Sequence, residues 1–318
     1  MKKSLIAVAV LASVAGVAQA QSSVQLYGIV DLAIANTKSA GVKGNTTLES
    51  GAVSGSRWGL KGSEDLGGGL KANFLLEQGF SADTGTSAAG TAFARQSYVG
   101  LSGGFGEVKL GNVFTAYDDI SGATNPVFDS ALSPTAVFAS GGYNSNPKNN
   151  IYYATPAFGG FSGAVSYSLD EVTTVKKNVT SVHAKYEGGP IFVGFGYQVE
   201  GSGVAGTADS KFTRVNGSYD LGVAKLLASY GQVEKAGVKD DFKEYTIGAD
   251  IPVGSALVAS VGFASSDPKA AGVKTNTSYS AGVAYSLSKR TTAYAGFRKN
   301  NKAAGDVSLV AVGLKHAF

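Results

Sequence analysis

Two histidines, His183 and His316, and no cysteine bound the covalent and metal chemistry open to this 318-residue chain. Without thiols there is neither a disulfide framework nor a thiolate metal site, and two imidazoles do not build a histidine centre. A hydrolase needs a serine, a histidine and an orienting group converging on one side. His183 sits in Ser181-Val182-His183-Ala184-Lys185 with no nucleophile motif beside it, and His316 follows the alternation of the chain end. Gly67-Gly68-Gly69 does not open a phosphate loop, since no Gly-Lys-Ser/Thr follows. These residues point away from an enzyme, and no cofactor or metal is implied. Charge at alternate positions is more informative. Arg57 and Lys61 share one parity, opposite to Trp58 and Leu60, so in a strand both cations face the same side. On the wall of an aqueous pore such charges bias which ions enter.

The elements that would position them are strands. Only 16 % of residues are charged, 10 % are aromatic, and 44 glycines accompany 7 prolines; soluble domains carry roughly 25 % charge. Lys2 and Lys3 precede an apolar run from Leu5 to Val17 and then Ala18-Gln19-Ala20, the pattern of a secretory signal peptide cleaved after residue 20. Its removal lowers the formal net charge from +4 to +2, which does not suit a nucleic-acid binder. Beyond it, apolar runs are too short for a spanning helix. Apolar and polar residues instead alternate, as in Val24 to Ile34, in Leu70 to Glu77, in Glu107 to Leu110 and in Lys211 to Asn216.

Alternation alone also fits a soluble sandwich; segment length and punctuation favour a barrel. Runs of about ten residues are separated alternately by tight Gly-rich turns and by longer polar loops, the asymmetry of an outer-membrane barrel. Turns are expected near residues 65–69, 102–106, 157–160, 188–190, 220–222 and 251–254, and longer loops near 38–52, 81–91, 201–210, 234–240, 265–273 and 300–306. Counting the runs predicts sixteen strands, enough to leave a water-filled lumen. At the chain end Val310, Val312, Leu314, His316 and Phe318 share one parity. A segment of about forty residues separates the strands at 108–110 and 151–154, far longer than ordinary connections. Its Tyr, Phe and Ala content favours packing inside the lumen over a solvated external flap.

The chain resembles the general porin family of β-proteobacteria, the neisserial and Burkholderia-type trimeric porins. The residues that carry the likeness are Ser23-Val24-Gln25-Leu26-Tyr27-Gly28-Ile29-Val30-Asp31, the run Gly55-Ser56-Arg57-Trp58-Gly59-Leu60-Lys61-Gly62-Ser63-Glu64-Asp65-Leu66-Gly67-Gly68-Gly69-Leu70-Lys71-Ala72, Arg95-Gln96-Ser97-Tyr98-Val99-Gly100-Leu101, Leu110-Gly111 and Val312-Gly313-Leu314-Lys315-His316-Ala317-Phe318. The resemblance implies an all-β, 16-stranded antiparallel transmembrane barrel over residues 21–318, with short periplasmic turns and long external loops. It further implies a homotrimer in the outer membrane and a third external loop, about 114–149, folded inward as a constriction.

By that likeness Arg57 and Arg95 match the basic cluster of the constriction; parity adds Lys61, and Lys109, which aligns with no family arginine, is a further cation on the constriction wall. The facing acids are Glu77 on the wall and Asp118, Asp119 and Asp129 on the loop. Strict parity leaves Arg95 open: Val99 and Leu101 share its parity and could face outward, whereas Tyr98 and Gly100 outward would bring Arg95 and Ser97 inside. Val312, Leu314 and Phe318 match the signal read by the barrel-assembly machinery. Partners are then lipid, lipopolysaccharide, small hydrophilic solutes and ions. Family members often carry Leu-Gly-Arg and Ile-Arg-Tyr where this chain has Leu110-Gly111-Asn112 and Ile151-Tyr152-Tyr153, so the expectation is a general diffusion pore with weak anion preference or near-neutral selectivity. A substrate-specific channel is the alternative, and a barrel-anchored adhesin a more distant one.

Overall fold

Burial in this protein is inverted. Large apolar side chains such as Val24, Leu26, Ile34, Val99, Leu101, Val193, Phe195 and Val312 are exposed, while Ser166, Ser181, Gln198, Asn216, Thr246, Ser260, Ser278 and Asn300 are buried. A closed sheet with an apolar outer band for lipid and a polar lumen produces this pattern. The computed structural model describes residues 23–87, 91–171, 177–238, 241–270, 272–302 and 305–318; the predicted signal segment 1–20 lies outside the described residues.

The first half of the sheet comprises β1 (Ser23–Ser39), β2 (Asn45–Ser50), β3 (Arg57–Gly67), β4 (Leu70–Ser81), β5 (Thr86–Ser87), β6 (Gln96–Gly103), β7 (Gly106–Asn112), β8 (Asn150–Ala154) and β9 (Phe161–Ser168). The second comprises β10 (Val179–Gly188), β11 (Ile191–Glu200), β12 (Ser210–Asp220), β13 (Lys225–Glu234), β14 (Phe242–Val253), β15 (Leu257–Pro268), β16 (Asn276–Ser286), β17 (Thr291–Asn301) and β18 (Val307–Ala317). All pairings are antiparallel, and β1 closes on β18 from Ile29↔Ala317 to Ser39↔Val307.

These eighteen segments make sixteen staves. Both β2 and β3 pair with the same side of β1, at Leu32–Thr37 and Ser23–Ile29 respectively, and so form one interrupted stave. β5 and β6 likewise share the edge of β4. The loop expected over 38–52 is therefore much shorter: β1 runs to Ser39 and β2 resumes at Asn45, because Thr46, Thr47 and Leu48 continue the ladder against Asn36, Ala35 and Ile34.

Asp31 repairs the interruption between β2 and β3. Its carboxylate accepts hydrogen bonds from the Val53 N–H at 3.1 Å, the Ser54 N–H at 2.6 Å and the Tyr294 hydroxyl of β17. The Ser56 hydroxyl brackets its backbone. Removing both carboxylate oxygens in Asp31→Ala orphans three donors, each costing about 1–3 kcal/mol when buried. The expected result is a clearly lower temperature for loss of the folded band on semi-native gels, with Asp31→Asn intermediate because it keeps one acceptor.

The chain end is locked beside this seam. Phe318 N–H donates to Gly28 O at 3.0 Å and Gly28 N–H to Phe318 O at 3.2 Å. The Phe318 ring lies where a Cβ on Gly28 would sit. Val310, Val312, Leu314, His316 and Phe318 all face outward.

Candidate functional site

The segment 113–149 between β7 and β8 lies within the barrel, and short polar side chains on the wall hold it there. The Ala116 N–H donates to Ser166 Oγ at 3.2 Å and the Tyr117 N–H to Ser181 Oγ at 2.6 Å. His183 Nδ1 meets the Ala116 carbonyl at 2.7 Å, so this histidine serves the loop. One helical turn, α1 (Asp118–Ser121), follows, and Asn216 donates to the Ile120 carbonyl. Farther along, Thr124 Oγ1 donates to Ala228 O at 3.1 Å, and the Val127 N–H to Ser260 Oγ at 2.8 Å. Arg298 of β17 caps the Ala131 carbonyl. The loop thus crosses the inner wall from β9 to β17.

The wall is hollowed to receive it. Gly248 and Gly262 face each other across β14 and β15, and a Cβ on either would strike Pro126 at 2.3–2.5 Å. Gly282 and Gly296 are likewise partners across β16 and β17, with Val127 and Leu132 occupying their side-chain space. Val127 and Leu132 are fully buried as a result.

A buried ion pair ties the middle of the loop. Arg214 and Glu244, 4 % and 0 % exposed, approach to 3.6 Å. Arg214 donates to Ser121 O at 2.9 Å and Ser140 Oγ at 2.8 Å. Glu244 accepts from the Ser140 N–H at 3.0 Å and its hydroxyl at 2.5 Å. Sequence reasoning missed this pair and the glycine seats. The available signals were charge and glycine on the lumen parity of the strands, Arg214 with Asn216 on β12 and Gly248, Gly262, Gly282 and Gly296 on β14 to β17.

Arg57, Arg95 and Glu77 come together on the opposite wall. Glu77, 5 % exposed, pairs with Arg95 Nε at 2.7 Å and Arg57 Nε at 3.5 Å, and accepts from the Tyr27 hydroxyl at 2.8 Å. Arg95 reaches inward although Val99 and Leu101 of its parity face lipid and Tyr98 packs inside against the cluster of Val113, Ala116, Tyr152 and Ala164. The alternative with Tyr98 and Gly100 outward is thereby overturned. Parity fails because Arg95 precedes β6: Phe93 takes a left-handed φ of 53°, and Asn146 of the loop holds the Ala94 and Arg95 carbonyls at 2.9 and 3.1 Å. The guanidinium then lies 5.7 Å over the Phe114 ring.

Lys61 and Lys109 also face the lumen but stand apart from this cluster. Lys109 pairs with Glu107 at 2.9 Å and lies over the Tyr98 and Tyr152 rings, whereas Lys61 lies 5.1 Å over Tyr27. The two positions lacking arginine carry neutral donors: Asn112 donates to Ala94 O at 3.0 Å, and the Tyr152 hydroxyl to Asp119 at 2.7 Å.

Asp118, Asp119 and Asp129 line one cavity of about 480 Å³ on the free face of the loop. Tyr143 donates to Asp118, and Asn125 to Asp129 at 2.6 Å. Burial, reinforced by Asp119 and Asp129, pushes Asp118 up to about 6, against the pull of the Tyr143 hydrogen bond and of Arg95. A raised carboxyl binds its proton as pH falls through that value, so acidification from about pH 7.5 to pH 5 removes one negative charge from the loop. Chloride permeability relative to potassium is expected to rise over that interval, read as a shift in reversal potential. Asp118→Asn should show the acid-side value at both pH values.

The comparisons with known proteins agree with this architecture. A family model for Gram-negative porins matches residues 7–304. Over the full length of both chains, the protein is 38 % identical to outer membrane porin protein 32 of Delftia acidovorans and 32 % identical to an outer membrane porin protein of Bordetella pertussis. The solved anion-selective porin from Comamonas acidovorans is similar with a TM-score of 0.84 at 32 % identity, over 94 % of this chain and 100 % of that one. A closed sixteen-stave barrel with a loop bonded inside its lumen, matched over nearly its whole length by these relatives, places the chain in the bacterial outer membrane as a member of the Gram-negative porin family.

Proposed function

We propose that the chain acts as a trimeric general-diffusion porin. Small hydrophilic solutes and ions cross passively through each barrel, past a constriction made by the inward loop, with weak anion preference or near-neutral selectivity. The observation that carries this reading is the loop, bonded to the lumen wall from β9 to β17 and presenting Asp118, Asp119 and Asp129 on its free face. Arg57, Arg95, Lys61 and Lys109 form the basic side of the filter and Glu77 its wall acid. Such opposed charges bias ions and orient dipolar solutes. The name of the Comamonas relative specifies anion selectivity; the neutral Asn112 and Tyr152 and the pairing of both arginines with Glu77 weaken that preference here. The outward Val312, Leu314 and Phe318 are assigned to recognition by the barrel-assembly machinery, and lipopolysaccharide to the outer rim. We assign no catalytic role to His183 or His316.

Single-channel recording of the refolded protein under a KCl gradient tests the reading. Large ohmic currents arriving in threefold steps, with a small reversal potential of anionic sign or near zero, are expected. Correctly folded trimers that pass no current would overturn it.

A further inference from the structure

We propose that the lumen wall just below the Arg57–Glu77–Arg95 cluster, toward the short turns, is a binding subsite for aromatic carboxylates; the proposal rests on the reading of the chain as an open porin. Gln25, Lys61, Leu75 and Tyr98 are successive cross-strand partners on β1, β3, β4 and β6, so their side chains share the inner face. With Asn73 and Glu107 they line a cavity of about 310 Å³, in the range of small-ligand pockets.

Leu75 is out of place in a water-filled lumen. It interrupts the polar parity of β4 between Asn73 and Glu77, and an isobutyl group facing water gains free energy only when another apolar surface covers it. Beside it, the edge of the Tyr98 ring extends this apolar surface along the cavity.

The charges near this apolar floor are unequal. Arg57 and Arg95 are committed to Glu77 and Lys109 to Glu107. Among the described residues Lys61 has no carboxylate within ion-pair distance, and its ammonium rests over Tyr27. Lys61, the cation lining this cavity, is thus open to an incoming carboxylate. A single ring attached to that carboxylate lies over Leu75 and Tyr98, and Gln25 supplies an amide at the rim.

The test is block of the KCl current through single channels by sodium benzoate compared with sodium acetate. Benzoate is expected to reduce the current saturably, with a half-effect concentration at least about threefold below that of acetate, since only the ring adds apolar contact. Leu75→Ser should bring the ratio of the two concentrations toward one, whereas Lys61→Gln, which removes the partner of the carboxylate common to both anions, should raise both concentrations and leave their ratio in place; because it is a ratio, altered open conductance divides out. Where Leu75→Ser does not assemble, Leu75→Asn makes the same reading. Channels that conduct KCl but respond alike to the two anions overturn the subsite alone, as does a benzoate preference that survives Leu75→Ser or half-effect concentrations that Lys61→Gln leaves unchanged. A folded protein without KCl current overturns the porin reading and the subsite with it.

Discussion

Neutralising Arg57 and Arg95 together, as Arg57→Gln with Arg95→Gln, is expected to turn the pore cation-selective. In the wild type these two cations share one carboxylate, Glu77, and face a loop bearing Asp118, Asp119 and Asp129. Their removal leaves Glu77 and the loop acids uncompensated near the narrowest point. A unit charge about 8 Å from a permeating ion is worth about 0.5 kcal/mol in water. Two such charges act with opposite sign on chloride and potassium, so the permeability ratio should change by about fivefold at ~0.1 M salt after screening. The reversal potential under a KCl gradient should change sign. An unchanged sign would place the selectivity determinant elsewhere on the wall. Glu77 keeps the Tyr27 hydroxyl as a donor, so the barrel is expected to assemble, with somewhat reduced heat resistance.

Glu244→Ala should release the middle of the inward loop. The substitution leaves Arg214 buried without its counter-charge and removes both acceptors of Ser140. Breaking a buried pair in this one-sided way costs about 3–5 kcal/mol. That is enough to populate conformers in which the segment around the short 3-10 turns Pro134–Val137 and Ala139–Gly142 leaves the wall. Noisy single-channel records with flicker between conductance levels are expected, together with easier proteolysis within the loop. Replacing both partners by residues of similar volume, Arg214→Met with Glu244→Leu, removes the stranded charge and should restore much of the quiet behaviour. A quiet channel in Glu244→Ala would show that the glycine seats and the Ser166, Ser181 and Ser260 bonds hold the loop unaided.

Most of the barrel was legible in the residues because a strand's two faces are a local property. The parity of Val24 to Ile34, of Arg57 to Lys61 and of the chain end already separates lipid from lumen; the first and last agree with the exposure in the fold, and the second with the register of β3 against β1 and β4. The resemblance added the inward course of the long segment, which composition suggested but periodicity did not require. Where chain and ladder part company, the local rule stopped working. Arg95 is aimed by Phe93 and by the reach of Asn146 across the loop, neither of which alternation can express. The loop at 38–52 was overestimated because polar Thr46 and Thr47 read as loop while pairing as strand.

The residue pattern alone therefore specifies a sixteen-stave barrel, the side of the wall that most strand residues face, an outward apolar chain end and the residue types available to a filter. Which of those residues meet is a property of the closed barrel. Gly248 with Gly262 and Gly282 with Gly296 become seats because barrel register brings them under Pro126, Val127 and Leu132. Arg214 and Glu244 become a clasp because Ser140, far from both in sequence, folds between them. Arg57 and Arg95 are joined by Glu77 while Lys61 is left open. Alternation is set residue by residue along one strand, whereas these contacts depend on the closure of the whole sheet and on a loop that crosses most of it.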